Sequence, residues 1–227
     1  NRDMAVENDP WNLIRVIPAK GSVDLIDTPL PLSVPKGPPA IDIRAPGLDF
    51  AGLPLFENLS LSLAAGQWTC LLGPSGVGKT TLLRLVAGLA EPWAGTSVRD
   101  DSGRDLAGQV AYMAQQDLLL PWLTARENVT LGARLRGVRP DAARADDLLA
   151  RVGIADQADK RPDTLSGGQR QRVALARTMM EDAPVVLMDE PFAALDAITR
   201  HDLQGAARGL LAGRTVLFVT HDPFEAL

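Results

Sequence analysis

An α/β fold, built on a largely parallel sheet and interrupted by a helical block, is what this sequence predicts. Three observations lead there. Cys70, Leu71 and Leu72 read as a short buried strand, Gly73 to Thr80 (GPSGVGKT) as a glycine-rich loop, and Leu82, Leu85, Val86 and Leu89 follow at helical spacing. From Gln169 onward, helix and strand signals alternate: a helix at Gln169–Met180, a strand at Pro184–Met188, a helix from Ala197 and a strand at Thr215–Thr220. Between these regions, Gln116 to roughly Thr164 is mostly helical in pattern.

Asn1 to Pro39 differ from the rest of the chain. Seven of its 17 prolines fall there, which favours extended, semi-rigid backbone and excludes a packed helix. Residues 1–39 are expected to be a proline-rich tail or linker, and residues 40–227 the globular domain. Asn1 is not a start residue, so the chain is expected to be processed or incomplete.

From Ala40 the segments run in order. Asp42–Arg44 and Asn58–Leu63 (NLSLSL) alternate as strands do, and Ala65-Gly66 turns the chain into a strand at Gln67–Leu72. Gln109–Met113 is a further strand. Thr124 to Arg136 is expected to be one helix, opened by a Thr124 cap with Glu127 three residues on. Pro140 is expected to start the next helix and Gly153 to close it.

The chain has 227 residues, 46% of them hydrophobic, enough for one sizeable core. A net charge of −5 argues against a nucleic-acid binder that relies on an overall basic surface. Cys70 is the only cysteine, so no intrachain disulfide forms, and a reducing, cytoplasmic setting fits. No run approaches the ~18 apolar residues that a spanning helix needs. The first residues (NRDMAVEND) lack the apolar stretch of a signal peptide. Membrane association is therefore expected to come through a partner.

The loop Gly73-Pro74-Ser75-Gly76-Val77-Gly78-Lys79-Thr80 matches G-x-x-x-x-G-K-[ST] and continues into Thr81. Its glycines let backbone N–H groups curl around phosphate oxygens, and the following helix points its positive end at them. Lys79 is placed to reach the β- and γ-phosphates of ATP, and the Thr80 hydroxyl to ligate Mg²⁺. Val185 to Glu190 (VVLMDE) is an apolar strand that delivers two carboxylates to its C-terminal end, where sheets of this class bind ligands. Asp189 would hold Mg²⁺, directly or through water; Glu190 would accept a proton from, or orient, an attacking water. Leu165-Ser166-Gly167-Gly168-Gln169 precedes a helix and forms a second anion site in this reading; a plain serine N-cap is the alternative.

In this order, GPSGVGKTT, LSGGQRQRVALAR, VVLMDEPFAALD and VTHD resemble the ATP-binding subunit of ABC transporters, a match covering Ala40 to Leu227. The resemblance implies a P-loop NTPase core, an antiparallel β subdomain and an inserted helical subdomain at about 116–167. It implies a head-to-tail homodimer in which Ser166, Gly167, Gly168 and Gln169 of one copy close on ATP held by the other. Asp196 matches the loop that communicates across that dimer. His221 matches the switch histidine that contacts the γ-phosphate and positions Glu190; a strand-end polar residue is the plainer reading, while His201 reads as a surface residue. Gln115 matches the glutamine that touches Mg²⁺ or the water, favoured over Gln116 by counting back from Pro121-Trp122. Phe50 matches the aromatic that stacks on adenine, with Phe where Tyr is common; a core residue beside the first strands is the other reading.

Leu118–Trp122 (LLLPW) lies where the family receives the coupling helix of its membrane subunit, with core packing as the alternative. The wording AQQDLLLPWLTARENV is most similar to importers of the nitrate, sulfonate and taurine group, which includes importers of thiamine precursors. The resemblance thus implies an ATPase on the cytoplasmic face of the membrane. Its expected partners are permease subunits and, indirectly, an extracytoplasmic solute-binding protein. The rival readings are a soluble ATPase of this type acting on ribosomes or DNA, and a nucleotide-binding module that no longer turns over. The chain stops six residues past His221 where family members continue, which bears on core stability and dimerisation.

Overall fold

The computed structural model describes residues 15–18, 37–50, 53–92, 94–193 and 195–223; for 15–18, 48–50 and 53–57 it describes the backbone alone. Two sheets organise the chain. The smaller is antiparallel: β2 (Ile41–Phe50) pairs with β3 (Leu53–Leu63) on one side and β5 (Ser97–Asp100) on the other. Alternation dictates its faces. Ile41, Ile43, Ala45, Leu61 and Leu63 are buried, while Asp42, Arg44, Ser60 and Ser62 are exposed.

The larger sheet has the order β1–β4–β8–β7–β6. Here β4 (Trp68–Leu72), β6 (Val110–Met113), β7 (Val185–Asp189) and β8 (Thr215–Thr220) run parallel. Every residue of β7 and β8 is buried, as expected of central strands covered on both faces. Their alternate side chains feed two separate cores. Val186, Met188, Val216 and Phe218 join one; Val185, Leu187, Leu217 and Val219 join the other, with Ile41 and Ile43 of the antiparallel sheet.

The edge strand β1 (Arg15–Pro18) runs antiparallel to β4, pairing Val16 with Leu71. It lies within the stretch read as a tail. Its pairing makes the larger sheet begin before residue 40. The remainder of 1–39 up to residue 36 is outside the described residues.

Helix α1 (Lys79–Val86) covers the second core with Leu82, Leu83, Leu85 and Val86. Leu89 does not belong to that face. Gly88 takes φ 70°, its N–H bonds to Leu85 O and that of Leu89 to Arg84 O, so the helix closes in a Schellman turn and Leu89 is 64% exposed.

The helix expected at Thr124–Arg136 is two: α2 (Ala125–Val129) and α3 (Leu131–Leu135). The Thr124–Glu127 capping box forms at its start. The break falls at Thr130, whose hydroxyl back-bonds to Arg126 O and Glu127 O. In α4 (Ala142–Arg151) the N-cap is Asp141, so Pro140 stands outside the helix rather than opening it. Gly153 closes α4 as expected, at φ 74°. Helix α5 (Gly167–Met180) buries its apolar face against α2, α4 and β6, and α6 (Ala197–Leu210) comes after β7. Among the described residues, no helix is long and apolar enough to cross a membrane.

Candidate functional site

The loop between β4 and α1 is shaped by glycine. Gly76 and Gly78 take φ of 84° and 90°, and a Cβ on Gly76 would meet nothing within 4 Å, so backbone conformation rather than crowding demands glycine there. Gly78 caps α1 and Lys79 is its first residue. The Lys79 ammonium donates to Gly73 O and Pro74 O, both at 2.7 Å, and the side chain is folded back along the loop. Burial holds its pKa below the ordinary lysine value, and the Glu190 and Asp189 carboxylates work against that. Ser75, Gly76, Gly78, Lys79, Thr80, Thr81, Gln115 and Glu190 line a cleft of about 260 Å³.

The parallel order β6–β7–β8 brings three sequence-distant segments to one sheet end. Asp189 closes β7, Gln115 follows β6 and His221 follows β8. Asp189 is 1% exposed, and burial raises its pKa against the opposing Thr80 and Tyr112 hydroxyls. Tyr112 O–H donates to its Oδ2 at 3.4 Å, while Oδ1 is buried with no hydrogen-bond partner.

Glu190 takes φ 45°, a left-handed conformation costing on the order of 1–3 kcal/mol in a non-glycine residue. Its N–H still pairs with Val219 O at 2.9 Å, so β8 holds the turn. Its Oε2 accepts from Gln115 Nε2 at 3.2 Å and lies 3.2 Å from His221 Nδ1. Glu190 and Gln115 also line a neighbouring hollow of about 510 Å³ with Gln116, Gln171, Ala193 and His221.

The Asp189 carboxylate, with its open Oδ1, and the Thr80 hydroxyl that acts on it are an oxygen donor set that fits a hard divalent cation completing its shell from phosphate and water. Among the described residues, no cluster of three or more His, Cys, Asp or Glu side chains offers a protein-only metal cage.

The serine-glycine turn is elsewhere. Ser166 caps α5: its Oγ accepts from Gln169 N at 3.2 Å, and Gln169 Oε1 accepts from Ser166 N at 2.9 Å. Asp196 caps α6, accepting from Ile198 N and Thr199 N, which lowers its pKa. A Cβ on Gly168 would lie 3.4 Å from both Leu195 and Thr199, so the two caps are neighbours. Neither Ser166, Gly167, Gly168 nor Asp196 lines the cleft of its own chain, and Ser166, Gly167 and Asp196 are exposed. The side chain of Phe50 lies outside the described residues; its backbone ends β2.

Leu118 and Trp122 are 58% and 65% exposed, whereas Leu119 is buried. Buried Asn128 braces this stretch through Leu120 N, Leu120 O and Leu123 O. His201 is exposed, as read. Sequence reasoning passed over Tyr112, Gln171 and Asp117. Gln171 donates to Pro191 O at 2.8 Å, and Asp117 takes Arg170 Nε at 3.0 Å, both tying α5 to the site's loops. The available signal for Tyr112 was that it is the chain's only tyrosine, set in a strand leading to Gln115.

Comparison with known proteins points the same way. The family model described as ABC transporter matches residues 56–193. An aliphatic sulfonates import ATP-binding protein, SsuB of Delftia acidovorans, is 44% identical over 190 residues, 83% of this chain and 76% of that protein. A taurine import ATP-binding protein, TauB of Mesorhizobium japonicum, is 46% identical over 181 residues, 77% of this chain and 70% of that protein. Among solved structures, a dimeric ATP-binding cassette in a post-hydrolysis state with ADP and Pi bound is similar at TM-score 0.72 and 30% identity. That match covers 82% of this chain and 90% of that one.

Proposed function

The chain belongs to the ABC transporter family, as an ATP-hydrolysing subunit of an importer, and we propose that it drives uptake of a small sulfonated solute of the alkanesulfonate or taurine class. The observation that carries the hydrolytic reading is the meeting of Gln115 and His221 on one oxygen of Glu190, beside the Lys79 loop.

In this reading Lys79 and the backbone N–H groups of residues 75–81 hold the triphosphate, with Lys79 leaving Gly73 O and Pro74 O for phosphate oxygens. Thr80, Asp189 and the side-chain carbonyl of Gln115 would hold Mg²⁺, which would supply positive charge against the phosphates. Water attacks the γ-phosphorus and gives its proton to Glu190, the bridging P–O bond breaks, and ADP and phosphate leave. His221 and Gln115 keep the carboxylate in place. Ser166, Gly167, Gly168, Gln169 and Asp196 act on the ATP of a second copy; the exposure of Ser166, Gly167 and Asp196 and the absence of all five from the lining of their own cleft support this. Phe50 contacts adenine.

The division at about residue 40, with a helical part at about 116–167, goes with this reading, save that Arg15–Pro18 joins the larger sheet. Exposed Leu118 and Trp122 form the seat for a permease, which would hold the chain at the cytoplasmic face of a membrane, served by a solute-binding protein. The test is phosphate release in vesicles carrying the chain with its permease and binding protein. Stimulation by taurine or an alkanesulfonate is expected. Basal turnover with no response to either sulfonate would overturn the solute class; no phosphate release at all would overturn the hydrolytic reading.

A further inference from the structure

The two oxygens of Asp189 are not equivalent. Oδ2 accepts from the Tyr112 hydroxyl at 3.4 Å, while Oδ1 is buried and has no partner. The pairing follows from register. Tyr112 stands opposite Leu187 on the parallel neighbour strand, and Leu187 and Asp189 share one face of β7. A long aromatic side chain at that position therefore reaches forward to the strand's end.

The guanidinium of Arg84, on α1, also acts on the Tyr112 hydroxyl. A guanidinium donates and never accepts. The phenol oxygen thus turns its lone pairs toward Arg84 and its proton toward Asp189. The series Arg84, Tyr112, Asp189 has one direction, and it leaves Oδ1 as the acceptor still open. A buried acceptor without a partner is costly and is kept where something else completes it.

We propose that Tyr112 is a positioning residue for the cation that accompanies ATP: by tethering Oδ2 it fixes the Asp189 carboxylate so that Oδ1 alone is presented as a ligand. This rests on the reading of Asp189 as a cation holder. The ring of Tyr112 packs against the second core, so Tyr112→Phe keeps the packing and removes the hydroxyl, with its contacts to Asp189 and Arg84.

The experiment measures Mn²⁺ affinity of the full chain by paramagnetic resonance, in the presence of a saturating non-hydrolysable ATP analogue. Parent, Tyr112→Phe and Asp189→Asn are compared. Binding of ATP in the presence of EDTA is measured alongside. Tyr112→Phe is expected to weaken Mn²⁺ binding by about 3- to 10-fold, the range of an ordinary net hydrogen bond. Metal-free ATP binding should stay within about twofold of the parent, by the same scale. If Asp189→Asn loses Mn²⁺ while Tyr112→Phe keeps parental affinity, the tether proposal fails alone. If neither variant changes Mn²⁺ affinity, the cation reading of Asp189 fails and takes the proposal with it. Equal weakening of Mn²⁺ and metal-free ATP binding marks a merely structural tyrosine and also overturns the proposal.

Discussion

Nδ1 of His221 lies 3.2 Å from Oε2 of Glu190, an oxygen that also accepts from Gln115. The carboxylate is only 11% exposed in its side chain, and its backbone is held in the left-handed region by a hydrogen bond to β8. Such a group is placed rather than free. Glu190→Gln keeps the shape and removes the base. Phosphate release is expected to fall by about 100- to 10,000-fold, the range for a positioned acid or base, with ATP binding retained. His221→Ala should lower the rate constant more than it changes ATP affinity, because it frees the carboxylate without touching the phosphate loop. Unaltered turnover in Glu190→Gln would remove it from the chemistry.

Lys79 carries a different prediction. Its ammonium is buried and satisfied by two carbonyls before any phosphate arrives. Replacing it by alanine removes a charge-assisted hydrogen bond of about 1.5–3 kcal/mol from the complex. ATP affinity should drop by roughly 10- to 100-fold on that basis, read by equilibrium binding. Retained affinity in Lys79→Ala would contradict the assignment of residues 73–81.

Ser166 has two roles to separate. Its hydroxyl caps α5 in the isolated chain, so Ser166→Ala should cost about 1 kcal/mol of stability. Ser166→Asn retains an N-cap acceptor and should restore most of that stability. If Ser166 also completes the site of a second copy, ATP turnover should fall in both variants, and only in the alanine variant should the melting temperature fall with it. Turnover that tracks stability across the pair would reduce Ser166 to a cap.

What could be read from the chain beforehand was local. GPSGVGKT declares a strand, a loop and a helix within one short window. VVLMDE declares a buried strand ending in acids. The meeting of Gln115, Glu190 and His221 was legible only through resemblance, because spacing along the chain says nothing about which strands are neighbours; the β6–β7–β8 order decides it. Leu89 continued the helical period of α1, yet Gly88 before it carried the stop signal, and the cap prevailed. Thr130 broke a helix whose apolar period ran straight through it. Ser97–Asp100 is short and has little strand composition; it is a strand because Ile41–Arg44 offers it an edge. The Tyr112–Asp189 contact joins residues 77 positions apart and leaves no trace in periodicity.

Asp189 links pH to stability. Burial raises its pKa, so the folded state favours the neutral acid more than the unfolded chain does. A raised carboxyl pKa contributes stability that is fully present below the unfolded value and is lost as pH rises through the folded value. Above that folded value the protein without nucleotide holds an unfavourable buried charge. Asp189→Asn removes that charge, and its melting temperature without nucleotide should exceed the parent's at pH 7.5. The difference should shrink as pH falls toward the acid range. Asp196, Glu127 and Asp100 have lowered pKa values and lose their contributions in acid, so the comparison is parent against variant at each pH. With Mg²⁺ and ATP added the order should reverse, since a ligand that binds the folded state stabilises it in proportion to its affinity and the variant has lost a cation ligand. A parent that melts above Asp189→Asn at neutral pH without nucleotide would show that the buried carboxylate is better compensated than its missing Oδ1 partner implies.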